Sequence, residues 1–466
     1  MTVAGRAPFR WLPLSLSPQI LGQRWRWRSQ QKQHARITIV SQFFPPDYAA
    51  TGQFLDDLSR RLALRGLQIQ VLTGQPNYAF RDRVAPRISF DHNRCIRRTS
   101  VSRWWPTRIR GRVVNSLLFC VRSSLRLLRS ARRGDLLLVT SEPAYLPLFA
   151  WLLNGLTRAP YVLLLYDLYP DIAVSLGVLA PAHPVARCWR FWQGLALRSA
   201  SEVVVLSSTM ADRLRQGYPG FDKAVAVIPS WADPRRIRPL PKDDNPFVQR
   251  HGLEGVFTVL YAGNQGRCHD LDTLLDAAQL LRQHRDIRFL IVGDGARHQQ
   301  LRQRVERDGL ELVTLLPYQE PADLPAMLAA ADLAVVSLLS EAEGQVAPSK
   351  LYGHLAAATP LAVICGSGSY LALEVERAGC GQAFRSGDGE GLAAYIRRLA
   401  AQPTLVRQLG SARRRHLISS ATPELVVQRY AELLARHLPP ERAARAAALL
   451  CADRASKRPV ALGAGA

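Results

Sequence analysis

Glycines and two cations follow strand-like runs in the second half of the chain. The apolar run 258–262 is followed by Gly263, Asn264, Gly266 and Arg267. Glycine lets backbone N–H groups approach an anion closely, and arginine presents a planar set of donors that fits a phosphate. These residue types in this order indicate a loop that binds phosphate groups.

Loops of the same kind follow three further apolar runs, 287–292, 332–337 and 360–364. Gly293 comes directly after the first of these. The second leads into a candidate helix start formed by Pro348, Ser349, Lys350 and Leu351. A helix start offers unpaired backbone donors to an anion, and lysine adds charge. We therefore predict that this half binds the diphosphate of a nucleotide sugar, in an enzyme that cleaves the sugar from it.

Composition indicates a globular protein of two or three domains. The chain has 466 residues, of which 48% are hydrophobic and 21% are charged. Its seven cysteines are scattered, with no Cys-x-x-Cys pair, so neither a zinc site nor a disulfide framework is predicted. The ten histidines are scattered too, and we expect neither a metal nor a cofactor beyond the donor substrate.

Positive charge is concentrated in the first third of the chain. Residues 1–134 contain 25 Lys or Arg residues against 5 Asp residues, a net charge of +20 out of +24. Such asymmetry predicts an anionic partner, either nucleic acid or an anionic membrane surface. The apolar run 143–155 is too short and too interrupted to span a bilayer, and 1–36 lacks the features of a secretory signal.

Short β-branched or leucine-rich runs alternate with longer helical segments from residue 35 onward, which predicts βαβ units and parallel sheets. The proline-rich segment 229–246 separates two such series, so we predict two doubly wound sheets with ligand loops at the carboxyl ends of their strands. The runs outside those named above are 37–40, 69–72, 136–139, 161–165, 203–206, 225–228, 312–316 and 381–384.

Taken together, these segments resemble the retaining family 4 glycosyltransferases over roughly residues 36–438. The segments that carry the resemblance are 44–52, 261–267, 292–295 and 348–353 followed by 359–360. The resemblance implies an α/β fold in the GT-B arrangement, with two Rossmann-like parallel-sheet domains facing a cleft. The Pro-Ser-Lys form is similar to a branch that transfers fucose or N-acetylated amino sugars in colanic acid and O-antigen synthesis.

The resemblance and the charge pattern divide the chain into five parts. They are a basic extension at 1–35 that is predicted to be disordered, an acceptor-side domain at 36–232, a nucleotide-sugar-binding domain at 233–421, a helix at 422–438 and a tail at 439–466. We expect the helix to pack back on the first domain.

The resemblance also implies roles for individual residues. Gly52 and the glycines already named would let the backbone approach the donor pyrophosphate, while Arg267 and Lys350 would stabilise the departing diphosphate. Asp167 stands roughly where the family has a histidine near the donor sugar. It would stabilise positive charge at the reacting carbon or orient the acceptor hydroxyl, or alternatively cap a helix. Glu343 would hydrogen-bond sugar hydroxyls.

One departure from the family concerns its Glu-x7-Glu pair. Counting back from 359–360 gives Gln345 and Gly353, whereas starting at Glu343 gives Leu351 as the partner position. Neither register supplies two carboxylates. Contacts of the second Glu to the nucleotide ribose are therefore not expected, and Lys350 would take over part of the anion binding.

The basic third contains a candidate membrane-binding helix. Its apolar residues at helical spacing are Val114, Leu118, Val121, Leu125 and Leu128, and the adjacent basic stripe is Arg122, Arg126, Arg129 and Arg133. Such a helix suits an anionic membrane interface, with Trp104 and Trp105 beside it, or packs on the core with a solvated basic edge. Trp25 and Trp27 add a second candidate contact or lie in the predicted disordered extension.

The leading hypothesis is a cytoplasmic transferase on the inner face of the plasma membrane. It would use a UDP- or GDP-sugar and an undecaprenyl-diphosphate-linked saccharide. Three alternatives stay open: a nucleotide-sugar epimerase of the same fold, a nucleic-acid-binding protein, and an inactive scaffold. The chain contains no recognisable element for specific nucleic-acid recognition, so no specific nucleic acid is expected as a partner.

Overall fold

A computed structural model describes residue 27 and residues 36–47, 49–76, 85–99, 109–130 and 135–440. The predictions for the rest of the 1–35 extension, for Trp104, Trp105 and Arg133, and for the tail after residue 440 lie outside this part of the chain. Trp27 is buried: it packs 6.3 Å from the Phe90 ring, and its carbonyl accepts from Gln68 Nε2. This packing makes it unavailable as a membrane contact.

The first domain is built on an eight-stranded sheet. The strands lie in the order β3-β4-β2-β1-β5-β6-β7-β8, and all pairs are parallel except β3 with β4. Their bounds are β1 Arg36–Val40, β2 Gln68–Gly74, β3 Ile88–Asp91, β4 Arg94–Thr99, β5 Leu136–Thr140, β6 Tyr161–Leu165, β7 Glu202–Val205 and β8 Val225–Val227.

Helices cover this sheet and connect its parallel strands, as βαβ units require. Their bounds are α1 Ala50–Leu64, α2 Ile109–Ser130, α3 Leu146–Thr157, α4 Asp171–Ser175, α5 Pro184–Ser199 and α6 Ser208–Gly217. The central strands β1, β5 and β6 are buried at every residue. Burial on both faces explains why each reads as a nearly continuous apolar run.

The second domain has a six-stranded parallel sheet in the order β11-β10-β9-β12-β13-β14. Its strands are β9 Phe257–Ala262, β10 Ile287–Val292, β11 Val313–Leu316, β12 Leu333–Ser337, β13 Leu361–Ile364 and β14 Gly381–Phe384. Its helices are α7 Pro246–His251, α8 Asp272–Leu280, α9 His298–Arg307, α10 Leu324–Ala329, α11 Lys350–Ala356, α12 Tyr370–Ala378, α13 Gly389–Ala400 and α14 Pro403–Ser420, with a 3-10 turn at Ser340–Ala342. The two sheets confirm the predicted fold class.

The β3-β4 hairpin at the edge of the first sheet escaped sequence analysis because arginines interrupt its apolar pattern. Arg94 is nevertheless buried and forms ion pairs with Asp56 and, at 2.8 Å, with Asp91. Arg36 is likewise buried against Asp135. Part of the positive charge in the first third is therefore neutralised inside the domain and needs no external partner.

The last helix, α15 Pro423–Arg436, packs on the first domain. Its buried face includes Val426, Tyr430 and Leu434, which belong to the apolar core beneath the first sheet. Trp231 completes the contact with its ring 6.4 Å from Tyr430. The chain thus crosses between the two domains twice, and both crossings meet at this helix.

Replacing Tyr430 tests this packing, with an exposed residue of the same helix as control. Tyr430 is 1% exposed, so Tyr430→Ala removes a buried ring and should lower the free energy of unfolding by about 3–5 kcal/mol. Leu425 is 40% exposed, and Leu425→Ala should change it by less than about 1 kcal/mol. Chemical denaturation of both variants provides the comparison. Equal losses would show that α15 does not pack as described.

Candidate active site

The glycine loops after β9 and β10 interlock, backbone against backbone. Gly263 has φ +130° and its N–H donates to Val292 O at 2.9 Å. Gly293 has φ +135°, and a Cβ built there would lie 2.1 Å from Gly263 O. A Cβ on Gly295 would lie 2.5 Å from Gln265 O. Only glycine fits at these positions, and the interlocked loops form one surface at the carboxyl ends of the strands.

Lys350 lies on that surface as the first residue of α11. Its Nζ donates to Tyr261 Oη at 2.6 Å and sits 3.9 Å from the centroid of the Tyr261 ring. Tyr261 Oη in turn donates to Asn264 O at 2.8 Å. A Cβ on Gly263 would lie 3.4 Å from Lys350 Cε, so the glycine leaves room for the lysine stem.

The environment of Lys350 weakens its hold on a proton. Burial of the ammonium group lowers the pKa of Lys350 to about 7. Desolvation disfavours the charged form of a lysine unless an anion lies beside it. An anionic ligand at this position would therefore bring the charged form back, which couples ligand binding to proton uptake.

Arg267 lies in the loop between β9 and α8 and is exposed. Within the described part of the chain it makes no hydrogen bond or ion pair. Asn264 is exposed beside it, and a Cβ on Gly266 would lie 3.1 Å from Asn264 Nδ2. The loop thus holds a cation that no described side chain neutralises.

Two carboxyl groups lie together at the carboxyl ends of neighbouring strands in the first domain. Asp167 follows β6, and Glu142 follows β5. Their side chains are hydrogen-bonded to each other, and Thr51 at the start of α1 bonds to Glu142. Ser141 Oγ accepts from the backbone N–H of Asp167 at 3.1 Å, which fixes the position of that loop.

Burial, followed by the proximity of the second acid, raises the pKa of Asp167, and burial raises the pKa of Glu142. Two carboxylates at hydrogen-bonding distance cannot both ionise easily, so the pair retains one shared proton above the ordinary carboxyl range. Sequence analysis missed Glu142. Its position directly after an apolar run was the available signal, whereas the pairing depends on β5 lying beside β6.

The two halves of the site face each other across the domain boundary. Asp167 forms an isolated antiparallel bridge with Val346, in the loop that leads to Lys350. Leu168 N–H donates to Gln345 O at 2.8 Å. Burial raises the pKa of the Cys268 thiol to about 11. The charge of Lys350 lowers this pKa and that of Asp167 raises it, so both residues lie near the thiol. The predicted residues Asp167 and Lys350 are thus brought into one cleft.

Other predicted site residues have structural partners. Glu343 accepts from Ser369 Oγ, and from Tyr370 N–H at 3.3 Å, which fixes the start of α12. Its contact with sugar hydroxyls stays a prediction. Pro348 O accepts from Tyr370 Oη at 3.2 Å.

The side chain of Leu351 is fully buried, so only its backbone is available to a ligand. Ser349 is the residue before α11 and makes no side-chain cap bond. Gly52 packs against its own loop, because a Cβ there would lie 3.0 Å from Phe44 N.

Neither register of the Glu-x7-Glu motif supplies two carboxylates, and the residues at its positions have structural roles. Gln345 is buried and donates to Ser175 Oγ at 2.8 Å, so it joins the two domains. At Gly353 a Cβ would lie 3.0 Å from Leu328, which leaves little room for a larger residue. Among the described residues, no group of three His, Cys, Asp or Glu is placed to hold a metal ion.

Both domains match glycosyltransferase families. Residues 50–231 match the family model for the glycosyl transferase 4-like domain, and residues 256–402 match that for glycosyl transferases group 1. Together the two matches span more than half of the chain. The chain is a glycosyltransferase of the GT-B type.

Relatives of this glycosyltransferase include two bacterial proteins that carry glycosyltransferase names. It is 28% identical over 273 residues to glycosyltransferase WbjE of Pseudomonas aeruginosa, covering 59% of this chain and 68% of WbjE. It is 24% identical over 341 residues to the colanic acid biosynthesis glycosyl transferase WcaI of Escherichia coli, covering 69% of this chain and 81% of WcaI.

Solved structures share the fold. Sucrose-phosphate synthase from Thermosynechococcus elongatus superposes with a TM-score of 0.70 at 17% identity, covering 86% of this chain and 98% of that one. Anabaena HepE in complex with UDP-glucose gives a TM-score of 0.65 at 18% identity, covering 86% of this chain and all of HepE. At such low identity the likeness establishes the arrangement of the two domains.

The shared proton gives a pH test of the carboxyl pair. An acid whose pKa is raised on folding binds more protons in the folded than in the unfolded state, so it lowers the free energy of unfolding as pH rises above the ordinary value of 3.8. Asp167→Asn should reduce this fall, which is at most about 1.4 kcal/mol per pH unit for one proton, to the part that the burial of Glu142 causes. The measurement is chemical denaturation between pH 5 and pH 8.

Asp212→Asn serves as the control, because its carboxylate is 62% exposed on α6 of the same domain. Its unfolding curve should follow the unaltered protein at every pH. The same pH dependence in Asp167→Asn as in the unaltered protein would mean that the pair holds no shared proton.

Proposed function

We propose that this glycosyltransferase transfers a sugar from a UDP- or GDP-linked donor to an undecaprenyl-diphosphate-linked saccharide, with retention of configuration at the transferred carbon. The observation that carries the proposal is Lys350, held by Tyr261 over the glycine loops at the end of a loop whose Val346 bridges to Asp167 of the carboxyl pair. A cationic surface opposite an acidic pair suits a reaction that separates a diphosphate from a sugar.

The cationic side would stabilise the leaving group. Negative charge grows on the diphosphate as the bond from the sugar carbon to its oxygen breaks. Lys350 and Arg267 would neutralise that charge, and they would do so most strongly in the transition state. The lowered pKa of Lys350 fits this role, because the arriving diphosphate raises it again and the amine becomes fully charged where it is needed.

The acidic side would position the acceptor and the sugar. With one proton on the pair, one carboxyl oxygen accepts from the acceptor hydroxyl while the protonated oxygen donates to a sugar oxygen. The remaining negative charge stabilises the positive charge that develops at the reacting carbon. In a retaining transfer the hydroxyl attacks from the face that the diphosphate leaves. As the new bond to carbon forms, the hydroxyl proton leaves the carboxyl oxygen and passes to the departing diphosphate oxygen.

The comparisons support the classes of donor and product. HepE has been solved with UDP, with UDP and glucose, and with UDP-glucose, and WcaI is named for colanic acid biosynthesis. We propose that this chain likewise uses a nucleotide sugar and acts in exopolysaccharide, capsule or O-antigen synthesis. Protein cations would do the neutralising that a metal does in other transferases, so the proposed reaction is independent of metal ions.

We further propose that α2 attaches the protein to the inner face of the cytoplasmic membrane. None of the described helices is long and apolar enough to span a bilayer. Most of the predicted apolar stripe of α2 is exposed, whereas Phe119 and Cys120 bury the opposite face. The alternative of a helix packed on the core with a solvated basic edge stays open, because Phe119 and Cys120 belong to the core of the first domain. Arg122 and Arg129 are exposed beside the apolar stripe and suit anionic lipids.

Substituting Lys350 tests the chemical proposal. Lys350→Ala should lower kcat for donor turnover by about 100- to 1,000-fold, because one preorganised donor to the leaving group is lost. Lys350→Arg keeps the charge and should retain more activity. The exposed Arg302 on α9 provides a control, since Arg302→Ala removes a cation of the same domain outside the site.

The measurement is release of UDP or GDP from a panel of nucleotide sugars, selected first by thermal stabilisation of the protein. Incubation with donor alone separates the competing activities, because an epimerase would release an isomerised nucleotide sugar. Full activity in Lys350→Ala would contradict the proposal.

Vesicle binding tests the role of α2. Leu117 and Leu125 are each 46% exposed, and replacing both by Asp should weaken binding to phosphatidylglycerol vesicles by about tenfold or more, measured by co-sedimentation. Leu280→Asp, a change at a comparably exposed leucine of the second domain, should have no effect. Unchanged binding in the α2 variant would rule out this helix as the attachment site.

A further inference from the structure

A basic groove lies on the first domain, outside the site described above. It has a volume of about 350 Å³, and three arginines of α5 face it with Gly194 between them. Its lining includes Arg187, Arg190, Phe191, Gly194, Arg198 and Tyr218. A Cβ on Gly194 would lie 3.4 Å from Arg198 Nη2 and 3.5 Å from Tyr218. The missing side chain therefore keeps the floor of the groove open.

Two of the three arginines have no partner within the described part of the chain. Arg190 pairs with Asp171 at 2.7 Å, and Tyr218 Oη donates to the other oxygen of Asp171 at 3.4 Å. Arg187 and Arg198 are exposed and form no hydrogen bond or ion pair there. The groove thus presents two guanidinium groups with no acidic partner among the described residues, and a third that Asp171 holds in place. Guanidinium groups bind phosphate oxygens through paired N–H donors.

The helix that lines the groove also packs on the two loops that carry the carboxyl pair. Trp189, next to Arg190 on α5, stacks on Tyr169 at 5.7 Å and on Tyr145 at 5.2 Å between ring centroids. Those two tyrosines follow Asp167 and Glu142 by two and three residues. The partner of Arg190, Asp171, lies on the same loop-to-helix segment as Asp167. One helix therefore packs with one residue on the loops that carry the carboxyl pair and lines the groove with the next.

One exposed apolar side chain lines the groove, and others lie on the adjacent helix. Phe191 is 58% exposed, and on the neighbouring helix α3 Leu156 is 73% exposed and Leu152 is 44% exposed. The two helices are joined by contact of Trp192 with Trp151, whose ring centroids are 5.4 Å apart. A phosphate-binding groove beside an exposed apolar surface suits an amphiphile with a phosphorylated head and a hydrocarbon chain.

We infer that this groove binds the diphosphate of a prenyl-linked acceptor, with the hydrocarbon chain lying over Phe191 and α3. The inference rests on the proposed function, because it gives that acceptor its binding site. The diphosphate would sit in the groove while the saccharide extends past Trp189 toward the Glu142 and Asp167 pair. The donor diphosphate would occupy the separate cationic surface at Lys350.

Farnesyl diphosphate is a suitable probe, since it combines a diphosphate with a prenyl chain. Its dissociation constant is measured by titration calorimetry on the full chain, alongside that of inorganic diphosphate. We expect farnesyl diphosphate to bind at least about tenfold more tightly, because the prenyl chain adds apolar contact. Equal affinities would overturn the lipid assignment and leave a site for free phosphates. Loss of phosphatidylglycerol-vesicle binding in Arg187→Ala and Arg198→Ala, in which α2 is unaltered, would assign the groove to phospholipid headgroups and overturn the inference.

Variants separate the groove from the donor site. Arg187→Ala and Arg198→Ala should each raise the dissociation constant for farnesyl diphosphate by about tenfold, as expected for loss of a charge-assisted contact to phosphate. Lys350→Ala and the distant Arg302→Ala should leave it unchanged. Loss of binding in Lys350→Ala, with no change in the two arginine variants, would place the probe at the donor site and overturn the inference.

Donor turnover by the unaltered protein is measured in the same preparation. If no nucleotide sugar is turned over, the proposed function fails. The groove assignment is decided separately, by whether Arg187→Ala and Arg198→Ala weaken the binding of farnesyl diphosphate. Circular dichroism of the two arginine variants shows whether they are folded. The Lys forms, Arg187→Lys and Arg198→Lys, keep the charge and should recover part of the affinity.

Discussion

The contact between Lys350 and Tyr261 is the interaction on which the site depends. These residues are 89 positions apart, and they meet because β9 and the loop before α11 end at the same edge of the second sheet. The tyrosine hydroxyl holds the amine at 2.6 Å, and the interlocked glycines beneath leave space for it. Because the amine is buried and no carboxylate of the described residues pairs with it, its charge is costly until an anion arrives.

The opposite wall of the cleft carries the Glu142 and Asp167 pair, where burial favours the protonated form of an acid. There, burial keeps a proton on a pair of acids, so the wall carries less negative charge than two free carboxylates would. The bridge from Asp167 to Val346 sets the spacing between the walls, and Gln345 adds a second link through Ser175. Each wall is thus held in an electrostatically unfavourable state that a nucleotide sugar and its acceptor would relieve.

The sequence predicted both sheets, because buried parallel strands leave continuous apolar runs such as 161–165, and the glycines at 263 and 293 mark loops that only glycine allows. It missed β4, whose arginines break the apolar pattern although Arg94 is buried by ion pairing. It also missed Glu142, because the pairing with Asp167 depends on β5 lying beside β6 in the sheet, which the sequence does not show. The groove on α5 was equally hidden, because neither charge nor spacing shows which arginines lack partners.

A crystal structure of the protein with a bound nucleotide sugar tests the central claim most directly. The account predicts that Lys350 Nζ lies within about 3 Å of a diphosphate oxygen, with Arg267 turned onto the same group. A diphosphate bound elsewhere in the cleft, with Lys350 still hydrogen-bonded only to Tyr261 and Arg267 pointing into solvent, would contradict it.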